Sequence, residues 1–144
     1  MSTPASDFLL GFDFGTKRIG VAVGQTVTQT ARPLTTLKAE NGKPHLETLA
    51  KLVKIWQPQA FVVGIPLNMD GSEQPLTHLA RAFANLLREQ FQLPVHEVDE
   101  RLTTKAAREN LFADGGYKAL QHGQVDSVAA QLILQNWLDN ANSK

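Results

Sequence analysis

An aspartate stands where the sequence otherwise predicts buried, apolar packing. Asp13 lies inside the run FLLGFDF of residues 8–14, whose other members are apolar or glycine. Burying a carboxylate costs free energy unless an opposite charge or a cation compensates for it. Because side chains alternate along a strand, Asp13 shares its face with Gly11 and Gly15, which leave open space beside it. Its position is therefore suited to a metal ligand.

A second misplaced acid lies near the start of the last predicted helix. At 100° per residue, Asp126 points toward the apolar side of this helix, near Ala130 and Ile133. The polar side is predicted to comprise Ser127, Gln131 and Gln135. A negative charge is favoured near a helix N-terminus by the helix dipole. Asp126 is thus a second candidate ligand.

The third candidate comes from a pair of acids at the end of the fifth predicted strand. Asp99 and Glu100 are adjacent, and the strand ends of α/β folds commonly carry functional sites. Adjacent strand residues point to opposite faces, so one of the two can face the same crevice as Asp13. The residues alone do not choose between them.

Three carboxylates from a strand, a strand end and a helix would form a hard oxygen site suited to Mg²⁺ or Mn²⁺. Two such ions about 3.5–4 Å apart activate water and stabilise the leaving oxygen in phosphodiester hydrolysis. The ordinary alternative is that each acid has a structural partner. Asp13 would pair with Arg18 or Lys17, Asp126 would accept hydrogen bonds from the first helical turn, and the third acid would form a surface ion pair.

The elements that must position these acids follow from hydrophobic periodicity and turn residues. The predicted strands are 8–14, 18–25, 30–38, 60–64 and 94–99, and the predicted helices are 44–56, 76–91, 103–112 and 124–138. Short connections make the first three strands an antiparallel meander, whereas helical crossovers make the last two parallel to a neighbour. The fold class is therefore α/β, with a mixed five-stranded sheet and helices on both faces.

Composition limits the classes of function. The chain has 144 residues, which we interpret as one domain spanning 1–144 with flexible tails at 1–6 and 140–144. It contains no cysteine, which excludes thiolate metal sites and fits a cytoplasmic protein. The N-terminal residues do not resemble a secretory signal, and no apolar run is long enough to span a membrane. Fourteen basic and fourteen acidic residues argue against broad coating of nucleic acid, but they allow a local basic rim.

Four motifs, spread over nearly the whole chain, resemble the YqgF family, also called RuvX. They are DFGTKRIGVAV at 13–23, VGIPLNMDG at 63–71, DERLTT at 99–104 and VDSVAA at 125–130. The resemblance implies a ribonuclease H-like fold, with Asp13, Glu100 and Asp126 as the catalytic, metal-binding acids and Mg²⁺ or Mn²⁺ as cofactor. Members are described as candidate nucleases of pre-16S ribosomal RNA, and formerly as candidate Holliday-junction resolvases. The resemblance also implies a bacterial cytoplasmic protein tied to ribosome maturation.

Basic residues next to the acidic motifs are candidates for substrate binding. Lys17, Arg18 and Arg101 follow Asp13 or Glu100 closely in sequence, and we predict that they hold phosphates flanking the scissile bond. A solvated basic rim is the ordinary alternative. The predicted partner is nucleic acid, with precursor ribosomal RNA favoured over branched DNA, and ribosomal particles are a further candidate partner.

Three other functions compete with an RNA nuclease. One is a resolvase-type DNA endonuclease, and another is a noncatalytic RNA-binding or ribosome-assembly factor. The third is an ATP-binding phosphotransferase, because DFGT at 13–16 also resembles a phosphate motif of the actin and sugar-kinase superfamily. Those proteins need two lobes to enclose a nucleotide, whereas this chain is long enough for one. Gly42-Lys43 is not part of a P-loop, because Pro44 follows it where a P-loop has Ser or Thr.

Overall fold

The computed structural model describes residues 7–100 and 124–141. The predicted helix 103–112 and the predicted N-terminal tail 1–6 lie outside these residues. The described strands are β1 (Phe8–Asp13), β2 (Arg18–Gln25), β3 (Thr30–Glu40), β4 (Lys43–Pro44), β5 (Ala60–Ile65) and β6 (Val95–Asp99). The described helices are α1 (Leu46–Trp56), α2 (Pro75–Phe91) and α3 (Gln124–Ala141), the last of which extends into the predicted C-terminal tail.

The strands form one mixed sheet in the order β4-β3-β2-β1-β5-β6. β1 pairs antiparallel with β2, and β2 pairs antiparallel with β3. β5 runs parallel to both β1 and β6. This arrangement of three antiparallel and two parallel strands is the predicted one, and β4 adds a sixth, two-residue strand.

The sixth strand arises from a tight hairpin at Asn41-Gly42. Both residues have positive φ, 52° and 81°, as two-residue hairpin turns of the Asn-Gly type require. The turn brings Pro44 opposite Ala39 of β3. The predicted helix 44–56 therefore begins later than expected, at Leu46, because Pro44 belongs to the sheet.

Each face of the sheet packs against its own helices. Leu10 and Phe12 of β1 lie in a core with Leu49 of α1 and Phe83 of α2. On the opposite face, Leu9 packs in a second core with residues of α3: Ala130, Ile133, Leu134 and Leu138. The alternation of β1 side chains between two helical layers, predicted from the sequence, is confirmed.

α3 lies unusually close to the sheet because glycines face it. A Cβ atom at Gly11 would come within 2.8 Å of the Leu134 side chain, and one at Gly24 within 2.9 Å. Atoms in van der Waals contact lie farther apart than this. Replacing either glycine would force the helix or Leu134 to move.

The polar side of α3 faces the backbone of β3. Gln131 donates to the carbonyl of Ala31 at 3.0 Å, and Gln135 accepts from the Ala31 amide at 2.9 Å. Ser127 is also buried, with 6% exposure. The reason is that β4 pairs only with the far end of β3, so the backbone at Ala31 needs other partners, and the glutamines supply them.

No helix in the described ranges, 7–100 and 124–141, is both long and apolar enough to cross a membrane.

An aromatic stack joins β6 to α3. The His96 ring lies 4.7 Å from the Trp137 ring, with an angle of 27° between their planes. Burial lowers the pKa of His96, and the nearby positive charge of Arg88 lowers it further. The folded protein therefore favours the neutral imidazole.

We expect acid to destabilise the protein through His96. Unfolded histidine takes up a proton near pH 6.5, whereas folded His96 does so only at lower pH. The contribution of neutral His96 to the free energy of unfolding is therefore complete above the pKa of the unfolded state. It is lost as the pH falls through the pKa of the folded state. Urea unfolding between about pH 7.5 and about pH 5 measures it. His96→Phe, which keeps a ring, should show a flatter profile, whereas exposed His78→Gln should not; equal slopes for all three proteins would contradict the assignment.

Candidate metal centre

Asp13 lies between two positions that have no side chain. At the end of β1 it pairs with Gly20 of β2 on one side and with Gly64 of β5 on the other. Residues in register project from the same face of a sheet, so all three positions face α3. Asp13 itself is half-buried. The two glycines create the space beside its carboxylate into which other groups enter.

Glu100 occupies the space above Gly64. A Cβ atom at Gly64 would lie 2.9 Å from Glu100 Oε1 and 3.0 Å from Glu100 Cγ. The Oε1 atom is buried. Glu100 therefore lies on the same face of the sheet as Asp13.

The structure distinguishes the two adjacent acids, between which strand alternation alone could not choose. Val98 pairs with Gly64 and packs in the core beneath α3. Alternation along β6 then directs Asp99 to the opposite face, and Glu100 returns to the face of Asp13. Of the two, Glu100 is the one positioned for the candidate centre.

The backbone of α3 occupies the space above Gly20. A Cβ atom at Gly20 would overlap the carbonyl oxygen of Asp126 and would lie 3.0 Å from the Ser127 amide nitrogen. The first turn of α3 therefore rests directly on β2, beside the position that pairs with Asp13. Only glycine at position 20 permits this approach.

Arg18 contacts the Asp126 carboxylate. Its Nε atom lies 3.1 Å from Asp126 Oδ2, which is buried, while the Asp126 side chain as a whole is 26% exposed. This pair combines a predicted substrate-binding residue with a predicted metal ligand. Arg18 thus balances one negative charge at the edge of the acidic cluster.

The donor chemistry fits a hard divalent cation. Asp13, the side chain of Glu100 and the backbone of Asp126 lie along one row of the sheet, and carboxylate oxygens are the ligands such ions prefer. Within residues 7–100 and 124–141, however, no three acidic or imidazole side chains are close enough together to hold one ion. The acids are thus assembled in one region without forming a closed coordination shell.

Of the two remaining residues predicted to bind substrate, Lys17 and Arg101, the structure describes only Lys17. Lys17 is exposed in the turn between β1 and β2, which follows directly after the end of β1 that carries Asp13. Arg101 lies outside the described residues. Gly20 and Gly64 were not among the predicted site residues, although a glycine within a predicted strand is a signal of close approach by another element.

We expect the two glycines to tolerate alanine differently. Gly20→Ala introduces a methyl group into the backbone of α3, and should lower the free energy of unfolding by about 2–4 kcal/mol. Gly64→Ala meets only side-chain atoms of Ile133 and Glu100, which can move, and should cost about half as much. Urea unfolding of both variants measures the difference. Equal losses would contradict the close approach of α3 to Gly20.

Comparison with known proteins places the chain among nucleases. A family model described as RuvX, Holliday junction resolvase, matches residues 7–140. A relative from Haemophilus ducreyi is 54% identical over 132 residues, covering 92% of this chain and 96% of the relative. One from Shewanella oneidensis is 56% identical over 132 residues, covering 92% and 94%. Both are named "Putative pre-16S rRNA nuclease".

Solved structures of resolvases share the fold. T. thermophilus RuvC in complex with a Holliday junction substrate has a TM-score of 0.56 at 15% identity, covering 94% of this chain and 96% of that chain. The fowlpox virus resolvase, solved with Holliday junction DNA, has a TM-score of 0.57 at 11% identity, covering 94% and 99%. The predicted ribonuclease H-like fold class is confirmed.

Proposed function

This chain belongs to the RuvX family and is a nuclease, and we propose that it processes precursor 16S ribosomal RNA with Mg²⁺ or Mn²⁺ bound by Asp13, Glu100 and Asp126. The observation that supports the metal assignment is the row Gly20–Asp13–Gly64, beside which the backbone of Asp126 and the side chain of Glu100 lie. When bound, divalent cations would activate a water molecule and stabilise the leaving oxygen of a phosphodiester.

Arg18 has two roles in this proposal. In the described structure its Nε lies beside Asp126 Oδ2 and balances that charge. If Asp126 held a cation, the Arg18 guanidinium would be available to a phosphate oxygen of the substrate. Lys17, in the adjacent turn, and Arg101 are proposed to bind phosphates on either side of the scissile bond.

Two observations favour RNA as the substrate. The relatives named as pre-16S rRNA nucleases share 54–56% identity with this chain, whereas the resolvases with bound junctions share 11–15% and support only the fold. We infer that the substrate is precursor rRNA, free or in ribosomal particles, and that the protein acts in the cytoplasm, where bacteria make that RNA. A junction-cleaving DNA endonuclease is the second candidate, supported by the family's description.

We expect Asp13→Asn to abolish cleavage. The change keeps the size of the side chain and removes its charge, and should reduce the rate by more than the 10–100-fold typical of outer-shell losses, that is by over about 100-fold. Rates are measured in Mn²⁺ on a pre-16S RNA 5′ segment and on a four-way DNA junction. Asp139→Asn, the same chemical change at an exposed position of α3, is the control and should leave the rate unchanged.

The substrates and variants separate the candidate functions. Cleavage of RNA alone supports rRNA processing, and cleavage of the junction alone supports a resolvase. An Asp13→Asn protein that cuts as well as wild type would show that Asp13 is not a ligand. Binding of RNA without cleavage by either protein would favour a noncatalytic assembly factor.

We expect millimolar Mn²⁺ to stabilise the fold. At ten times its dissociation constant, a bound ion adds about 1.4 kcal/mol, or about 3–6 °C in Tm for a chain of this size. Asp13→Asn should lose this shift, whereas Arg18→Gln should keep or increase it, because a competing cation has been removed from Asp126. A wild-type Tm that does not change on addition of millimolar Mn²⁺ would contradict the proposed site.

A further inference from the structure

A basic groove lies beside the candidate metal centre, on the edge formed by two connected turns. The Ala39 amide donates to the Lys17 carbonyl and the Gly42 amide donates to the Thr16 carbonyl, each at 2.9 Å. These bonds join the β1–β2 turn to the β3–β4 hairpin. Between them is a groove of about 580 Å³ whose lining includes Lys17, Lys38, Lys43 and His45.

The groove concentrates positive charge in a chain whose formal net charge is zero. Its three lysines are exposed. None of them forms an ion pair with a carboxylate among the residues that the structure describes. The acid in the lining is Glu40, which lies opposite Lys43 in the hairpin. The groove therefore carries a local positive charge that is available to an anionic ligand.

Register connects the groove to the candidate centre. Lys38 pairs with Arg18 across β2 and β3, so both project from the same face of the sheet. Arg18 contacts Asp126 on that face. The two strand spacings from β1 to β3 amount to about 10 Å, so one nucleic-acid strand can contact both the candidate centre and the groove.

We propose, on the basis of the nuclease function above, that this groove binds the phosphate backbone of the substrate strand as it leaves the metal centre. Arg18 contacts the phosphate nearest the acids, and Lys38, Lys43 and Lys17 contact the following ones. The hairpin is rigid because its Asn-Gly turn and its two backbone bonds to the β1–β2 turn hold it in place. The groove thereby sets the direction of the strand relative to the scissile bond without reading bases.

Charge-reversal variants test this assignment by binding rather than cleavage. Lys38→Glu and Lys43→Glu are made in the Asp13→Asn chain, so that the probe stays intact. The matched control is Lys54→Glu, which is equally exposed but lies in the last turn of α1, near Trp56. Trp56 packs on Phe8, at the end of β1 opposite to Asp13. Tm values verify that each variant is folded.

Affinity is measured by fluorescence anisotropy with a single-stranded RNA probe and a DNA probe of the same sequence, over a series of salt concentrations. Each groove variant should weaken binding about fivefold or more near 0.1 M salt. It should also reduce the steepness of the plot of log affinity against log salt concentration by about 0.7. The neutral variant Lys43→Ala should show the same slope change with a smaller loss. Lys54→Glu should match the parent chain.

The outcomes separate this inference from the proposed function. If the parent binds the probes but the groove variants behave like Lys54→Glu, the groove does not bind the strand, and the nuclease assignment is unaffected. If the loss appears with RNA but not with DNA, the contacts are not to phosphates, and the inference is again overturned. If the parent binds neither probe, the groove does not bind a nucleic-acid strand and the inference is overturned, while the cleavage assay above tests the nuclease function separately.

Discussion

The close approach of α3 to the sheet is the constraint on which the candidate centre depends. The helix backbone rests on Gly20, and its Leu134 side chain rests on Gly11 and Gly24. These contacts place Asp126 beside the row that contains Asp13. A side chain at Gly20 would lift the helix, one at Gly11 or Gly24 would force the helix or Leu134 to move, and a small displacement of one ligand is enough to impair a site of this kind.

A glycine also allows a close approach on the other side of Asp13. Gly64 leaves room for Glu100, whose buried Oε1 would be within 2.9 Å of an added Cβ. Bringing carboxylates together is unfavourable unless positive charge is nearby. In the described structure Arg18 supplies such a charge to Asp126, and in the proposed active state a divalent cation would supply more. In that state, repulsion between the acids would favour the binding of a cation.

Positive and negative charges are separated in space in this protein, although its formal net charge is zero. The acids lie in one region at the end of β1, and the lysines of the groove lie beyond Arg18, toward β4. A substrate phosphate in such an arrangement is attracted by the rim, while the cations that it shares with the acids would be held at the centre. The chain therefore does not need an overall positive charge to act on nucleic acid.

Local patterns determined most of the architecture. Apolar alternation predicted the strands and the two-layer packing of β1, and Asp13 stood out because a carboxylate interrupts that pattern. Only the tertiary structure showed that Glu100 lies on the face of Asp13, because its position depends on where β6 ends against Gly64. It also showed that Gln131 and Gln135 bind β3, since a helix periodicity cannot reveal which strand lacks a partner. Interactions within one element are readable from sequence, whereas contacts between elements depend on register and on the distance of approach.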